Sequence, residues 1–158
     1  MNQIILAIIL TLLPIVELRG GLPVALLSAS KENISPILVF AVIVLFNILL
    51  IFAIFFFLDY FHKIFLKFEF YKKFYSFYLT KMQKKIDKFE KAHNSMGIFA
   101  LFLFVAIPLP LTGAYSGVFL SWIMGLKRKK SILAISLGVL TSGIIIYIGT
   151  MGITSFLG

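Results

Sequence analysis

The sequence predicts an all-α integral membrane protein. A re-entrant helical hairpin followed by a transmembrane helix occurs twice, as an inverted repeat, and a basic amphipathic helix joins the copies. Three observations carry this. Hydrophobic residues are 61% and charged residues 13% of the 158, whereas soluble domains hold roughly 45–50% and about 25%. The apolar residues fall into four regions, two continuous and two interrupted by proline and glycine. The basic residues cluster between those regions rather than within them. With a mean hydropathy of +1.06, so short a chain cannot bury its apolar surface within itself, and lipid must cover part of it. A soluble enzyme and a disordered chain are both excluded. The chain has no cysteine, hence no disulfide, thiolate metal site or thiol nucleophile. Residues 1–158 read as a single membrane domain.

Residues 2–30 form the first hairpin: an apolar arm to Leu13, a break at Pro14-Ile15-Val16-Glu17-Leu18-Arg19-Gly20-Gly21-Leu22-Pro23, and a short arm to Ser30. Residues 36–58 are 23 uncharged residues. As a helix they span about 35 Å against a hydrocarbon core of about 30 Å, enough to cross. Residues 59–96 are the basic amphipathic connector, and 37–96 contain no glycine or proline. Phe61, Phe65, Phe68, Tyr75, Tyr78, Met82, Ile86 and Phe89 recur at three- and four-residue steps, with Lys81, Lys84, Lys88 and Lys91 on another face. Residues 97–126 form the second hairpin, broken at Pro108-Leu109-Pro110-Leu111-Thr112-Gly113. Residues 131–157, 27 and uncharged, make the last transmembrane helix.

Each hairpin arm is about 12–21 Å of helix, too short to cross alone, and proline with glycine stops a helix at the tip. One kinked span over 97–126 would put the basic segments on opposite faces, so the hairpin is preferred. Pro14 precedes Pro36 by 22 residues and Pro108 precedes Ser131 by 23. Shared spacing with entry from opposite faces is the inverted-repeat plan of secondary transporters.

Residues 59–93 hold nine lysines against four acids, and Lys127-Arg128-Lys129-Lys130 adds four charges, which accounts for the whole net charge of +9. Basic chains often bind nucleic acid, but these clusters flank apolar runs, so no nucleic-acid partner is expected. Both clusters should face the cytoplasm of a plasma (cytoplasmic) membrane, with both termini outside. Residues 4–16 resemble the apolar region of a signal peptide. No Lys or Arg precedes them and Glu17-Leu18-Arg19 interrupts, so the segment is expected to belong to the mature protein.

The chemistry should sit at the breaks. Gly20, Gly21 and Pro23 would start one half-helix, and Thr112 would cap another beginning near Gly113. The positive ends of these helices would converge near the midplane. Arg19 adds a fixed charge and Glu17 a titratable one, which together make an anion site with Glu17 as proton carrier. A structural Glu17–Arg19 pair is the alternative. Asn47 and Tyr115 are further candidate substrate contacts, the alternatives being an interhelical hydrogen bond for Asn47 and packing for Tyr115, and Gly138, Ser142 and Gly143 mark close helix packing. Lys81, Lys84, Lys88 and Lys91 suit anionic lipid headgroups, or else simply anchor the connector. No phosphate-binding loop, zinc-protease motif or nucleophile elbow is present. Catalytic residues, metal ligands and cofactors are therefore not expected, and the protein is not expected to be an enzyme.

The stretches Pro14-Ile15-Val16-Glu17-Leu18-Arg19-Gly20-Gly21-Leu22-Pro23 and Pro108-Leu109-Pro110-Leu111-Thr112-Gly113-Ala114-Tyr115-Ser116-Gly117 resemble the signatures of the small multidrug export family. In its paired hairpins that family is similar to the wider DedA superfamily, which includes the VTT-domain proteins. The resemblance covers nearly the whole chain, though the fuller arginine motif of DedA proteins is missing at the second hairpin. It implies a transporter-like protein moving an anionic lipid such as polyprenyl phosphate, driven by protons, with Pro108, Pro110 and Gly117 at the site. The alternatives are a small-molecule (multidrug) exporter and a non-transporting scaffold or lipid-scrambling protein. Membrane lipids are the expected partners, with a homodimer covering the hairpins.

Overall fold

In the computed structural model, which describes residues 2–14, 16–65, 95–110 and 112–157, six helices and no strand occur among the described residues. They are α1 (Asn2–Thr11), α2 (Glu17–Lys31), α3 (Pro36–Phe65), α4 (Ser95–Ala106), α5 (Ala114–Ile123) and α6 (Arg128–Leu157). Two of them, α3 and α6, are long and apolar enough to cross a bilayer, and the protein is a membrane protein. Each has 30 residues, about 45 Å of helix. They run antiparallel: Phe40 and Tyr147 stack edge to face at 5.5 Å near one end, and Asp59 pairs with Arg128 at the other.

The shorter helices form two hairpins. In the first, α1 folds back on α2 so closely that a Cβ on Gly21 would lie 2.1 Å from Thr11 Cγ2 and 2.8 Å from the Ala7 carbonyl. In the second, the start of α4 lies beside the end of α5, since a Cβ on Gly97 would sit 3.1 Å from Leu126 Cδ2. That proximity excludes a single kinked helix over 97–126. Both α2 and α5 pack against both long helices.

The second arms also end alike. After α2, Asn33 takes φ +55 and the Ile34 N–H donates to the Ala29 carbonyl at 3.0 Å. After α5, Gly125 takes φ +64 and the Leu126 N–H donates to Ser121 at 3.0 Å. Each is a Schellman stop, with a left-handed residue that lets the chain turn back on the last carbonyls. In each case the long helix begins three residues later, at Pro36 or Arg128.

The interior is lined by Leu22 and Leu26 of α2, Ile43 and Ile51 of α3, Leu101 and Val105 of α4, Val118 of α5 and Ile135 of α6, all at most 2% exposed. Outside, Phe56 is 72%, Ile37 69% and Ile148 65% exposed, a surface suited to lipid rather than water. Lipid is as apolar as leucine, so the helices must associate through close packing, which small residues permit. Ser131, Ala134, Gly138 and Ser142 of α6 are all buried. The small residues picked out in the sequence do lie at contacts: Gly138 against Val105, Gly143 against Phe40 and Val44.

Three expectations are corrected. The first break follows Thr11, and α2 begins at Glu17 instead of Pro23, which falls inside the helix. Gly20 and Gly21 are helical; Gly21 serves the approach of α1 and does not break the chain. An interior proline is tolerated because neighbouring helices re-satisfy freed backbone groups in membranes. Gly113, not Thr112, is the N-cap of α5. Finally, α3 continues past residue 58 to Phe65 and α6 starts before residue 131, so Asp59 and Arg128 sit on the long helices themselves. Most of the connector, including Lys81, Lys84, Lys88 and Lys91, lies outside the described residues.

A Cβ on Gly138 would be 2.7 Å from Val105 Cβ and 3.1 Å from the Phe102 carbonyl, whereas one on Gly149 meets nothing within 4 Å. Gly138→Leu should therefore lower the unfolding midpoint in detergent, by about 1–3 kcal/mol for overpacking. Gly149→Leu should leave it in place.

Candidate functional site

The hairpin tips meet, and each satisfies backbone groups that the other leaves open. The first four N–H groups of a helix and its last four carbonyls have no partner within the helix, and lipid supplies none. Gly113, as N-cap of α5, has no side chain with which to cap. The Glu17 carboxylate does so from the other hairpin. Oε2 accepts the Ala114 N–H at 3.1 Å and Oε1 the Tyr115 N–H at 3.0 Å. A negative charge at the positive end of a helix is favourable, and each hydrogen bond to a charged group contributes about 1.5–3 kcal/mol.

Two local features make this reach possible. Glu17 has φ +45, a left-handed conformation rare for a residue with a side chain, costing about 1–3 kcal/mol and typical of functional sites. Gly113 must lack a side chain: its Cβ would lie 1.4 Å from Glu17 Oε2. The Gly113 N–H itself donates to Ser116 Oγ at 2.8 Å.

Arg19 performs the complementary task at the end of α4. Its Nη2 donates to the carbonyls of Val105 at 3.3 Å and Ile107 at 3.1 Å, where the helix dipole favours a cation. The loop sequence creates those acceptors. Pro108 and Pro110 have no N–H to give to residues 104 and 106. The Leu109 N–H turns to Ile107 at 2.8 Å, leaving Val105 open to the guanidinium. Thr112 Oγ1 lies 2.9 Å from the Ile107 carbonyl and 3.0 Å from that of Leu109, so it fastens the loop instead of capping α5. Tyr115 reciprocates, its hydroxyl donating to the Leu12 carbonyl at 2.7 Å just past the end of α1.

Glu17 and Arg19 are thus engaged with the opposite hairpin, and no ion pair joins them among the described residues. Arg19 Nε is buried without a hydrogen-bond partner. Beside it lies a cavity of about 320 Å³ lined by Pro14, Val16, Glu17, Arg19, Gly20 with Pro108 and Pro110. Of the residues expected at the site, Glu17, Arg19, Gly20, Pro108, Pro110, Thr112, Gly113 and Tyr115 come together here.

The others do not. Gly21 packs on α1, and Gly117 faces Val105 and Ile135. Pro23 sits within α2 away from the cavity lining. Asn47 is fully buried, its Nδ2 donating to the Ile43 carbonyl at 3.0 Å and its Oδ1 unpaired. That bond stays within α3, so it does not join two helices. The Val105, Ile107 and Leu12 carbonyls went unforeseen, although Pro-Leu-Pro, which strips donors from a helix end, was a usable signal. Ser116 was missed with less warning.

The family described as "Putative small multi-drug export protein" matches residues 17–145, a stretch that begins at Glu17 and contains both halves of the site. The chain belongs to that family. No curated protein and no solved structure matches it.

Because Glu17 and Gly113 act through one contact, their substitutions should not add. Glu17→Ala and Gly113→Ala should each lower the unfolding free energy in detergent, by roughly 3–6 kcal/mol for two lost charge-assisted bonds. The double variant should fall little further than the worse single one, and full additivity would show that the two residues act separately.

Proposed function

We propose that the protein is a transporter in which the two hairpins are re-entrant, entering the membrane from opposite faces. A substrate anion competes with the Glu17 carboxylate for the N-terminus of α5. One observation carries this: a carboxylate from one hairpin occupies, in strained backbone geometry, the helix N-terminus of the other. Support for an inverted repeat comes from the matching stops after α2 and α5 and from their shared packing on both long helices. The Asp59–Arg128 pair favours placing both basic clusters on one face, the cytoplasmic one, with both termini outside.

In this mechanism a proton reaches Glu17 through the cavity at the tips. Protonation removes the charge that holds the carboxyl on Ala114 and Tyr115 and relieves the reason for its left-handed backbone. The two N–H groups are then free to donate to a new anion, and the Arg19 guanidinium, whose Nε has no partner, lines the same cavity as Glu17. Return of the proton to water restores the carboxylate, which displaces the anion. Binding and proton transfer do the work, and no bond of the substrate is broken. An anionic lipid such as polyprenyl phosphate suits a site at this depth.

The family's description favours a second reading, export of small-molecule drugs. A cationic drug would need an exposed carboxylate, and Glu17 is buried and held against α5.

Translocation of labelled polyprenyl phosphate in proteoliposomes, with and without a proton gradient, separates these readings. Wild type should show gradient-dependent flux, Arg19→Ala should lose it at least tenfold, and Glu17→Gln should retain at most a flux indifferent to the gradient. Equal background flux in all three removes the lipid. Ethidium efflux abolished by Glu17→Gln would then establish drug export.

A further inference from the structure

Beside the tips, a second cavity of about 610 Å³ opens between α3 and α5. Its walls are Ala53, Ile54 and Phe57 of α3 facing Phe119 of α5, and Tyr115 and Ser116 of α5 also line it. On α3 the lining runs from Leu50 to Leu58, about 12 Å along the axis. Phe57 and Phe119 are 57% and 52% exposed, so the groove faces the surrounding bilayer. Beyond it, His62 and Trp122 meet edge to face at 5.4 Å.

Resting on the anion reading of the tips, we propose that this groove holds the hydrocarbon tail of the substrate, so that an anionic amphiphile enters sideways from the lipid. The argument is continuity. Tyr115 belongs to both places: its backbone N–H lies on Glu17 Oε1, its hydroxyl on the Leu12 carbonyl, and the residue lines the groove. An apolar slot whose polar residues, Tyr115 and Ser116, begin the helix that carries the anion site is complementary to a chain bearing a charged head. A free inorganic anion would leave the groove unused, and a neutral lipid would leave the released N–H groups of Ala114 and Tyr115 without an anion. Tyr115 is the positioning residue that links the two parts.

Trp122 is the only tryptophan and stands one turn beyond Phe119 of the groove wall, against His62, which makes it a reporter. The full-length protein in nanodiscs of neutral phosphatidylcholine would be titrated with dodecyl phosphate brominated in its chain. Wild type should show saturable quenching of Trp122. Ala53→Phe, which fills the groove without touching the tips, should raise the half-saturating mole fraction at least fivefold, and so should Arg19→Ala. Ile148→Phe, on the exposed outer surface of α6, should change nothing. Ala53→Leu serves in place of Ala53→Phe if the larger side chain prevents folding.

Loss in Arg19→Ala with no effect at Ala53 would overturn the groove and leave the anion reading standing. Loss at Ala53 with no effect of Arg19→Ala would overturn both, leaving a hydrocarbon site without charge recognition. Quenching that never saturates and matches brominated phosphatidylcholine would show bulk lipid in the groove. No quenching at all would show it covered by protein. Either result overturns the proposal.

Discussion

The rest of the structure depends on the Glu17 carboxylate resting on the first N–H groups of α5. A helix that ends in a packed interior leaves several polar backbone groups with neither water nor helix partners, at a cost of about 1–3 kcal/mol each. In this chain those groups are satisfied from the opposite hairpin: Glu17 at the start of α5, Arg19 at the end of α4, Tyr115 beyond the end of α1. Neither hairpin carries all the partners its own tip needs. The two must therefore assemble together, and the long helices α3 and α6, against which α2 and α5 both pack, hold them where the tips can meet.

That arrangement places structural and functional demands on the same atoms. The left-handed backbone at Glu17 costs about 1–3 kcal/mol. Two charge-assisted bonds of about 1.5–3 kcal/mol each offset it only while the side chain is ionised. Strain of this size persists only where the surrounding structure over-determines it, and it clusters at ligand clamps and switch regions. Gly113 fits the same logic. A side chain there would stabilise an unoccupied N-cap but exclude the carboxylate.

The two long helices and the existence of two hairpins were legible because length, hydropathy and Pro/Gly breaks are local properties of a chain. The pair Glu17 and Arg19 was legible too, since charge within an apolar segment is expensive and rarely idle. Their partners were not. Thr112 looked like the cap because a Thr before Gly-Ala obeys the local rule for water-exposed helices. The actual cap stands 97 residues away, and a single sequence carries no signal for such a contact. Pro23 misled for a related reason: Gly-Gly-Leu-Pro reads as a break in a soluble helix, whereas here the glycine beside α1 is a packing device.

The caps also constrain how the protein can move. Arg19 and Glu17 stand two residues apart at the start of α2, yet they hold opposite ends of the α4–α5 loop. A rigid displacement of α2 would strain both sets of bonds together. Freeing Glu17 alone leaves Arg19 on Val105 and Ile107, so α4 stays anchored while the start of α5 is released. The element set free then carries Tyr115, which lines the apolar groove along α3 and whose hydroxyl ties it to α1. In the proposed cycle, a proton on Glu17 would in this way change the groove and the tip in a single step, without requiring either long helix to shift.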